Sequence, residues 1–356
     1  MTELRRQKTL VQQRLDAYIY PVLSLPNEII SLIFVHALPT HPNWPTFAGP
    51  GSPTLLTHIC SKWRQIALST PQLWAIIGPD HTSSASDNVA MMHRQCVLTE
   101  TWISRSCSCP LSIQIVNANG EKPDCPPAVY SAIAAQRDRW EYFEYDVVRP
   151  NMRLFSGPMP LLRHLRVYLE SGLLGPSIIT VGHAPLLRSA LLGGHALKHV
   201  ELPWTQLTSL TLEAISPPEC MPILQQTSNL VRCRLALILL NEGVDEPVNE
   251  VTLPELHSLV LNGQGKALTQ RLIIWQLVTP ALLCLECREL LLGPHPITTL
   301  LSFISRSSCK LEGLCITYEN DSAFSLTDYR SAFPMISNIS MQEAQDIGGE
   351  YPEEVD

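Results

Sequence analysis

The sequence lacks any apolar run long enough to cross a bilayer. Its longest stretches, such as LALILL at 235–240, are far shorter than the ~20 residues that a spanning helix needs. It also lacks an excess of basic charge, because 25 Lys and Arg face 33 Asp and Glu and the net charge is −8. These absences argue against membrane and nucleic-acid partners alike.

A secretory signal is missing as well, since polar residues interrupt the N-terminal stretch MTELRRQKTLVQQRL where a signal would be continuously apolar. We therefore expect a cytoplasmic or nuclear protein. The eleven cysteines follow no disulfide framework, which predicts free, buried thiols. With 45% hydrophobic residues among 356, the chain can still bury a substantial core.

Recognisable catalytic motifs are absent too. Cys284 and Cys287 have C-x-x-C spacing, but on a strand they would point to opposite faces and could not share a zinc ion. Cys107 and Cys109 lack an obvious second pair of ligands, and the stretch around Lys266 lacks the first glycine and the Ser/Thr of a phosphate-binding loop. We predict a non-enzymatic protein with no cofactor and no metal.

What the chain does contain begins with an apolar stripe in residues 1–22, which predicts an amphipathic helix. Its members are Leu4, Val11, Leu15, Tyr18 and Val22. The following stretch LSLPNEIISLIF, 23–34, carries seven large apolar side chains in twelve positions. Pro26 fits the first helical turn, and Ile29, Ile33 and Phe34 cover more than one side of a short helix. So much apolar area predicts contact with another protein, or packing on the next part of this chain.

The C-terminal two thirds of the chain contain a recurring L-x-x-L-x-L pattern. The motifs start at Leu162, Leu187, Leu207, Leu230, Leu256, Leu282 and Leu311, that is, 25, 20, 23, 26, 26 and 29 residues apart, and WEYFEY from Trp140 fits the same frame. These intervals are typical of leucine-rich repeats, although an irregular bundle of leucine-rich helices could mimic them. The predicted fold class is therefore α/β: a small helical domain followed by an irregular leucine-rich-repeat solenoid.

Strand alternation predicts which side chains of these motifs point away from the core and could bind a protein target. These candidate target-binding residues are Ser209, Thr211, Arg232, Arg234, Ser258, Asn262, Glu286 and Arg288. His164 and Arg166 also point outward, but Glu144 and Asp146 on the neighbouring strand could pair with them and make them structural.

Residues 18–76 resemble the F-box, in particular the F-box-like domains of fungal proteins whose remaining chain is leucine-rich. The likeness lies in Leu25-Pro26-x-Glu28-Ile29, Ile33-Phe34, Ile59-Cys60-x-x-Trp63-Arg64-x-Ile66-Ala67 and Ser69-Thr70-Pro71-x-Leu73-Trp74. The proline-rich stretch 39–53 is longer than the turn usual in that family. The resemblance implies docking on the Skp adaptor, and through it on the cullin scaffold of a ubiquitin ligase. The implied adaptor-binding residues are Leu25, Pro26, Ile29, Ile33, Phe34, Ile59, Cys60 and Trp63.

The predicted layout is an N-terminal helix, 1–22; an F-box-like domain, 23–78, with insertion 39–53; a linker and helical connection, 79–130; a solenoid, 131–340; and an acidic tail, 341–356. The resemblance predicts a substrate receptor that acts as a monomer within a hetero-complex and holds a protein target that the sequence does not identify. The alternative is a scaffold outside any ligase, whose F-box-like part caps the solenoid.

Overall fold

The structure, a computed structural model, describes residues 2–17, 21–39, 43–78, 89–116, 127–147, 157–169, 179–181, 183–239, 250–265, 273–319, 322 and 324–343. The predicted acidic tail and the segment 79–88 lie almost wholly outside these ranges. The helices are α1 Thr2–Ala17, α2 Asn27–His36, α3 Pro53–Ile59, α4 Ser61–Leu68, α5 Val89–Arg105, α6 Pro127–Ala134, α7 Pro217–Leu224, α8 Pro296–Ser307 and α9 Leu326–Ala332.

Parallel strands make up most of the remaining regular structure. They are β1 Ile76–Ile77, β2 Leu111–Val116, β3 Trp140–Val147, β4 His164–Leu169, β5 Ile179–Thr180, β6 Ser189–Gly194, β7 Val200–Glu201, β8 Ser209–Ile215, β9 Arg232–Leu239, β10 Val251–Thr252, β11 Ser258–Gly265, β12 Leu277–Val278, β13 Cys284–Arg288, β14 Gly313–Tyr318 and β15 Asn338–Glu343. Within the described ranges, eleven strands form one sheet in the order β1-β2-β3-β4-β6-β8-β9-β11-β13-β14-β15. Two small sheets, β5-β7 and β10-β12, run beside it.

The register of the large sheet aligns one apolar residue from each strand in a buried row. This row consists of Ile77, Ile113, Phe143, Leu165, Ala190, Leu210, Cys233, Leu259, Leu285, Leu314 and Ile339, and every member is at most 5% exposed. Because side chains alternate along a strand, the residues next to each of these point to the opposite face. We call the buried side the inner face and the other the outer face.

The predicted architecture, a helical F-box followed by a leucine-rich-repeat solenoid, is wrong. The chain forms instead an α/β fold around one eleven-stranded parallel sheet, in which β1 and β2 come from residues before the predicted repeats. The two-residue β1 is too short to show alternation, and β2 lies outside the L-x-x-L-x-L frame. The leucine motifs themselves do coincide with strands, as in β4, β6, β8 and β9.

The N-terminal helices pack on the first strands through aromatic side chains. Trp74 and Trp102 are fully buried and meet edge to face, with ring centroids 5.6 Å apart. Phe47, from the proline-rich stretch, packs against Trp102 at 4.8 Å. Trp44, from the same stretch, lies 5.4 Å from Tyr142 on the outer face of β3. The stretch 39–53 therefore joins the helical part to the sheet.

Candidate functional site

Exposed apolar side chains line one side of α2. Leu25, Ile29, Leu32 and Ile33, which we call the α2 stripe, are between 36% and 54% exposed. Leu25 lies just before α2, and Ile29, Leu32 and Ile33 share one side of the helix, whereas Ile30 and Phe34 point to the core and are at most 2% exposed. On α3, Leu55 and Ile59 are 48% and 53% exposed. Several accessible apolar side chains on one side of a helix, as in the α2 stripe, are typical of a protein-interaction surface.

Among the other predicted adaptor-binding residues, Phe34, Trp63 and Cys60 make contacts within the protein. Phe34 is buried and packs edge to face on the half-buried Trp63, with centroids 4.8 Å apart. The Cys60 thiol accepts a 3.4 Å hydrogen bond from the Trp63 backbone N–H and so caps α4. Pro26 is exposed just before α2. Phe34 thus holds α2 in place, and its side chain is not accessible to a partner.

Most of the predicted target-binding residues share the outer face of three adjacent strands. Arg232 of β9 lies between Ser209 and Ser258. In the next outward row, Arg234 lies between Thr211 and Val260. Arg232 is exposed, and the other polar side chains of these rows are partly exposed.

On the first strands of the sheet, β2 to β4, the outward side chains interact with one another. Glu144, 6% exposed, accepts a 3.1 Å hydrogen bond from Gln114 and pairs with Arg166 at 3.4 Å. The register places Glu144 opposite Arg166, as the alternation predicted, so Arg166 is structural. His164 instead faces Tyr142 and stacks on its ring at 6.0 Å.

A glycine on β6 lets a tyrosine ring from β4 pack closely over the outer face. The outward positions of Tyr168 and Gly193 are paired between β4 and β6. A Cβ on Gly193 would overlap the Tyr168 ring, so the ring lies directly over the β6 backbone. Tyr168 therefore occupies the space that a side chain on β6 would fill.

At the C-terminal edge of the strands the exposure predicted for Arg288 is wrong. Its side chain is 3% exposed, donates a hydrogen bond to the Gly263 carbonyl and pairs with Glu319. Alternation correctly places it opposite the core, but its guanidinium is engaged by the Gly263 carbonyl and the Glu319 carboxylate. Glu286 and Asn262 remain half-buried, and the Asn262 side chain accepts a 3.0 Å hydrogen bond from the Gly263 N–H.

All ten described cysteines are free. Cys287 is buried on the inner face and Cys284 is exposed on the outer face, which confirms that they point apart. Burial raises the pKa of the Cys287 thiol, and that of Cys220 to about 12. These buried thiols are protonated at neutral pH and are therefore poor nucleophiles and metal ligands.

Metal-ligating side chains do not cluster in the described part of the chain: no three His, Cys, Asp or Glu lie together as a metal site would need. Nor does any described helix have the length and apolar character to span a membrane. No family model matches the sequence, and no curated protein matches it.

Sequence reasoning omitted two exposed residues of the apolar surface, Leu32 and Leu55. The signal for Leu32 was present, because it follows Ile29 by three residues, an interval that puts two side chains on the same side of a helix. Nothing in the sequence indicated that Trp44 would cover the outer face, since the contact joins residues almost a hundred positions apart.

Proposed function

We propose that this protein is a substrate receptor that docks on the Skp adaptor of a cullin-RING ubiquitin ligase. The α2 stripe and the exposed α3 side chains would contact the adaptor, and the outer face of the sheet would hold a protein target. The receptor would act in the cytoplasm or nucleus as one copy within the complex, by binding and without chemistry of its own. The F-box-like motifs of residues 18–76 direct the proposal to this adaptor.

The observation that carries the proposal is the exposure of the α2 stripe. Ile29 and Ile33 are each 44% exposed, although a helix anchored by Ile30 and Phe34 has no need of them for its own packing. Complete burial of a large apolar side chain is worth about 1.5–3 kcal/mol, and the exposed part of each of these side chains forgoes a share of it. A partner that covers the stripe would recover this free energy.

The test is co-purification of the full chain with the Skp adaptor, using the double substitution Ile29→Glu/Ile33→Glu. We expect adaptor capture to fall at least about thirtyfold, the loss typical of two interface anchors. The matched control is Leu301→Glu on α8, where the side chain is similarly exposed at 48%, and it should retain capture.

Phe34 is unsuitable for this test because its replacement would disturb the core. Circular dichroism and thermal melting should show that the double variant keeps the fold of the wild type. Equal capture by the double variant and the wild type would refute the docking surface.

A scaffold that works outside any ligase is the second candidate, and one observation favours it. The N-terminal region supplies the edge strand of the sheet, because β1 pairs with β2, and its Trp74 ring packs on Trp102 of α5. In that case the N-terminal region would serve the fold alone. A wild-type chain that fails to capture the adaptor but still captures a protein target would favour the scaffold.

A further inference from the structure

The last strand of the large sheet, β15, has one edge that no other strand covers. In the described part of the chain, β15 pairs with β14 on one side and with no strand on the other. The Asn338 N–H donates to the Glu312 carbonyl on the β14 side. Because the backbone groups of successive residues point to opposite sides of a strand, the N–H and C=O groups of Ile339 and Met341 point to the uncovered edge. Such an edge can pair with a further strand.

The sequence of β15, NISMQE, complements itself when two copies of the strand run antiparallel. If Ser340 lies opposite Ser340 of a second copy, Ile339 lies opposite Met341, and Asn338 lies opposite Gln342. On the inner face, the buried Ile339 and the half-buried Met341 then meet an apolar side chain. On the outer face, each exposed amide meets an amide of the second copy, and two amides can exchange hydrogen bonds.

The backbone is satisfied in the same register. Ile339 of one copy and Met341 of the other would form hydrogen-bonded pairs on both sides of a two-fold axis through Ser340. The Ile339 carbonyl accepts a 3.5 Å hydrogen bond from Arg330, and its second lone pair can accept the N–H of the second copy. A shift of the register by two residues would instead place the Glu343 carboxylate opposite the buried Ile339, where its desolvation would be costly.

A pair of opposite charges across the edge also fits this register. The exposed Arg330 of α9 reaches the Ile339 carbonyl and lines a groove with Ser337, the residue before β15. The register places Glu343 of the second copy opposite Ser337. Since neighbouring strands lie about 4.8 Å apart, the Arg330 guanidinium can reach this carboxylate. Within the described ranges, neither Arg330 nor Glu343 has an ion-pair partner in its own copy.

We infer that the edge of β15 is the interface of a homodimer, in which two copies pair antiparallel about a two-fold axis at Ser340. The occupant of the edge is therefore a second copy of this chain. The inference goes beyond the proposed function, in which each complex holds one copy, because the β15 edge would join two such complexes. The α2 stripe takes no part in it, and the N-terminal strand β1 forms the opposite edge of the sheet.

Sedimentation equilibrium of the full chain, from about 1 to about 200 μM, tests the dimer and its charge pairs. We expect a reversible equilibrium between monomer and dimer. Arg330→Glu and Glu343→Arg should each raise the dimer Kd at least about tenfold, because each replaces two attractive pairs by repulsive ones. Arg330→Glu/Glu343→Arg should return the Kd to within about threefold of wild type, because the pairs are restored with reversed sign.

The matched control is Arg94→Glu, which makes the same charge change at an exposed position on α5 and should leave the Kd within about twofold of wild type. Circular dichroism and thermal melting should match the wild type in every variant. The α2-stripe proposal is tested separately, since adaptor capture should be equal in all of these variants. A failure of the dimer is therefore distinct from a failure of adaptor docking.

Disulfide cross-linking tests the register. Ser340→Cys is made together with Cys315→Ser, because Cys315 is the neighbour of Ser340 on β14. At the two-fold axis the two copies of position 340 would lie about 4.5 Å apart between Cα atoms, within the range of a disulfide. Gln342→Cys in the same background is the control, because its two copies would lie about 14 Å apart. Mass spectrometry of the oxidised chain would identify the linked peptides.

Three results would overturn the inference. They are a chain that remains monomeric at the highest concentration, single charge reversals that leave the dimer intact or that the double reversal does not rescue, and cross-linking that is as efficient at position 342 as at position 340.

Discussion

The two faces of the large sheet differ although they alternate along the same strands. On β8, Leu210 and Leu212 are at most 1% exposed, whereas Ser209 and Thr211, which alternate with them, are partly exposed. The inner face is apolar in strand after strand, and the outer face changes character along the sheet. The inner face therefore holds the fold together, and the outer face has sequence freedom that binding can use.

Thiol reactivity should separate the faces most sharply, within one short strand. At pH 8 we expect a maleimide to modify Cys284 at least about a thousandfold faster than Cys287, because burial raises the pKa of Cys287 and reaction there requires opening of the core. A raised thiol pKa leaves less of the reactive thiolate at pH 8. The raised pKa and the poor accessibility of Cys287 therefore both lower its rate of modification. Mass spectrometry of labelled peptides would measure both rates, and comparable rates would contradict the assignment of faces.

Truncation on the inner face should have the next largest effect. Leu212→Ala removes a fully buried side chain and should lower the free energy of unfolding by about 2–5 kcal/mol, through lost burial and the cavity left behind. Urea denaturation followed by circular dichroism would measure the change. A loss below about 1 kcal/mol would show that the inner row is loosely packed.

A carboxylate on the outer face provides an exception to the rule that this face tolerates change. Glu144→Gln should destabilise the fold by about 1–3 kcal/mol, because the buried Glu144 accepts a hydrogen bond from Gln114 and pairs with Arg166. The control is Glu141→Gln, since Glu141 of β3 pairs at 3.1 Å with Arg163, the residue before β4, but both side chains are about half exposed. That pair should contribute no more than about 1 kcal/mol. Equal losses in the two variants would mean that burial does not distinguish the pairs.

The smallest effect should come from the outward neighbour of Leu212. Thr211→Ala should change the free energy of unfolding by less than about 0.5 kcal/mol, because the threonine side chain is partly exposed on the outer face. Urea denaturation of Thr211→Ala and Leu212→Ala under the same conditions would compare the change in unfolding free energy on the two faces. A loss comparable to that of Leu212→Ala would place Thr211 in the core.

Residues of the candidate site were predictable where a local pattern decides their position. Helical spacing predicted that Ile29, Ile33 and Phe34 cover more than one side of α2, and strand alternation placed Arg232 and Arg234 on the outer face. The same spacing did not reveal that Phe34 would be buried against Trp63, because both sides of α2 are apolar and only packing decides which one is covered.

By itself the sequence determined the positions of the strands that carry the leucine motifs, the side of each of these strands that is apolar, and the absence of disulfide spacing. These depend on alternation and composition, which are local. Only the tertiary structure decided that β1 and β2 extend the same sheet, that Trp44 packs on Tyr142 and that Glu319 pairs with Arg288. Each of these depends on contacts between segments brought together by folding. Local periodicity shows which side of a strand or helix is apolar, but it carries no information about which distant segment will pack against that strand or helix.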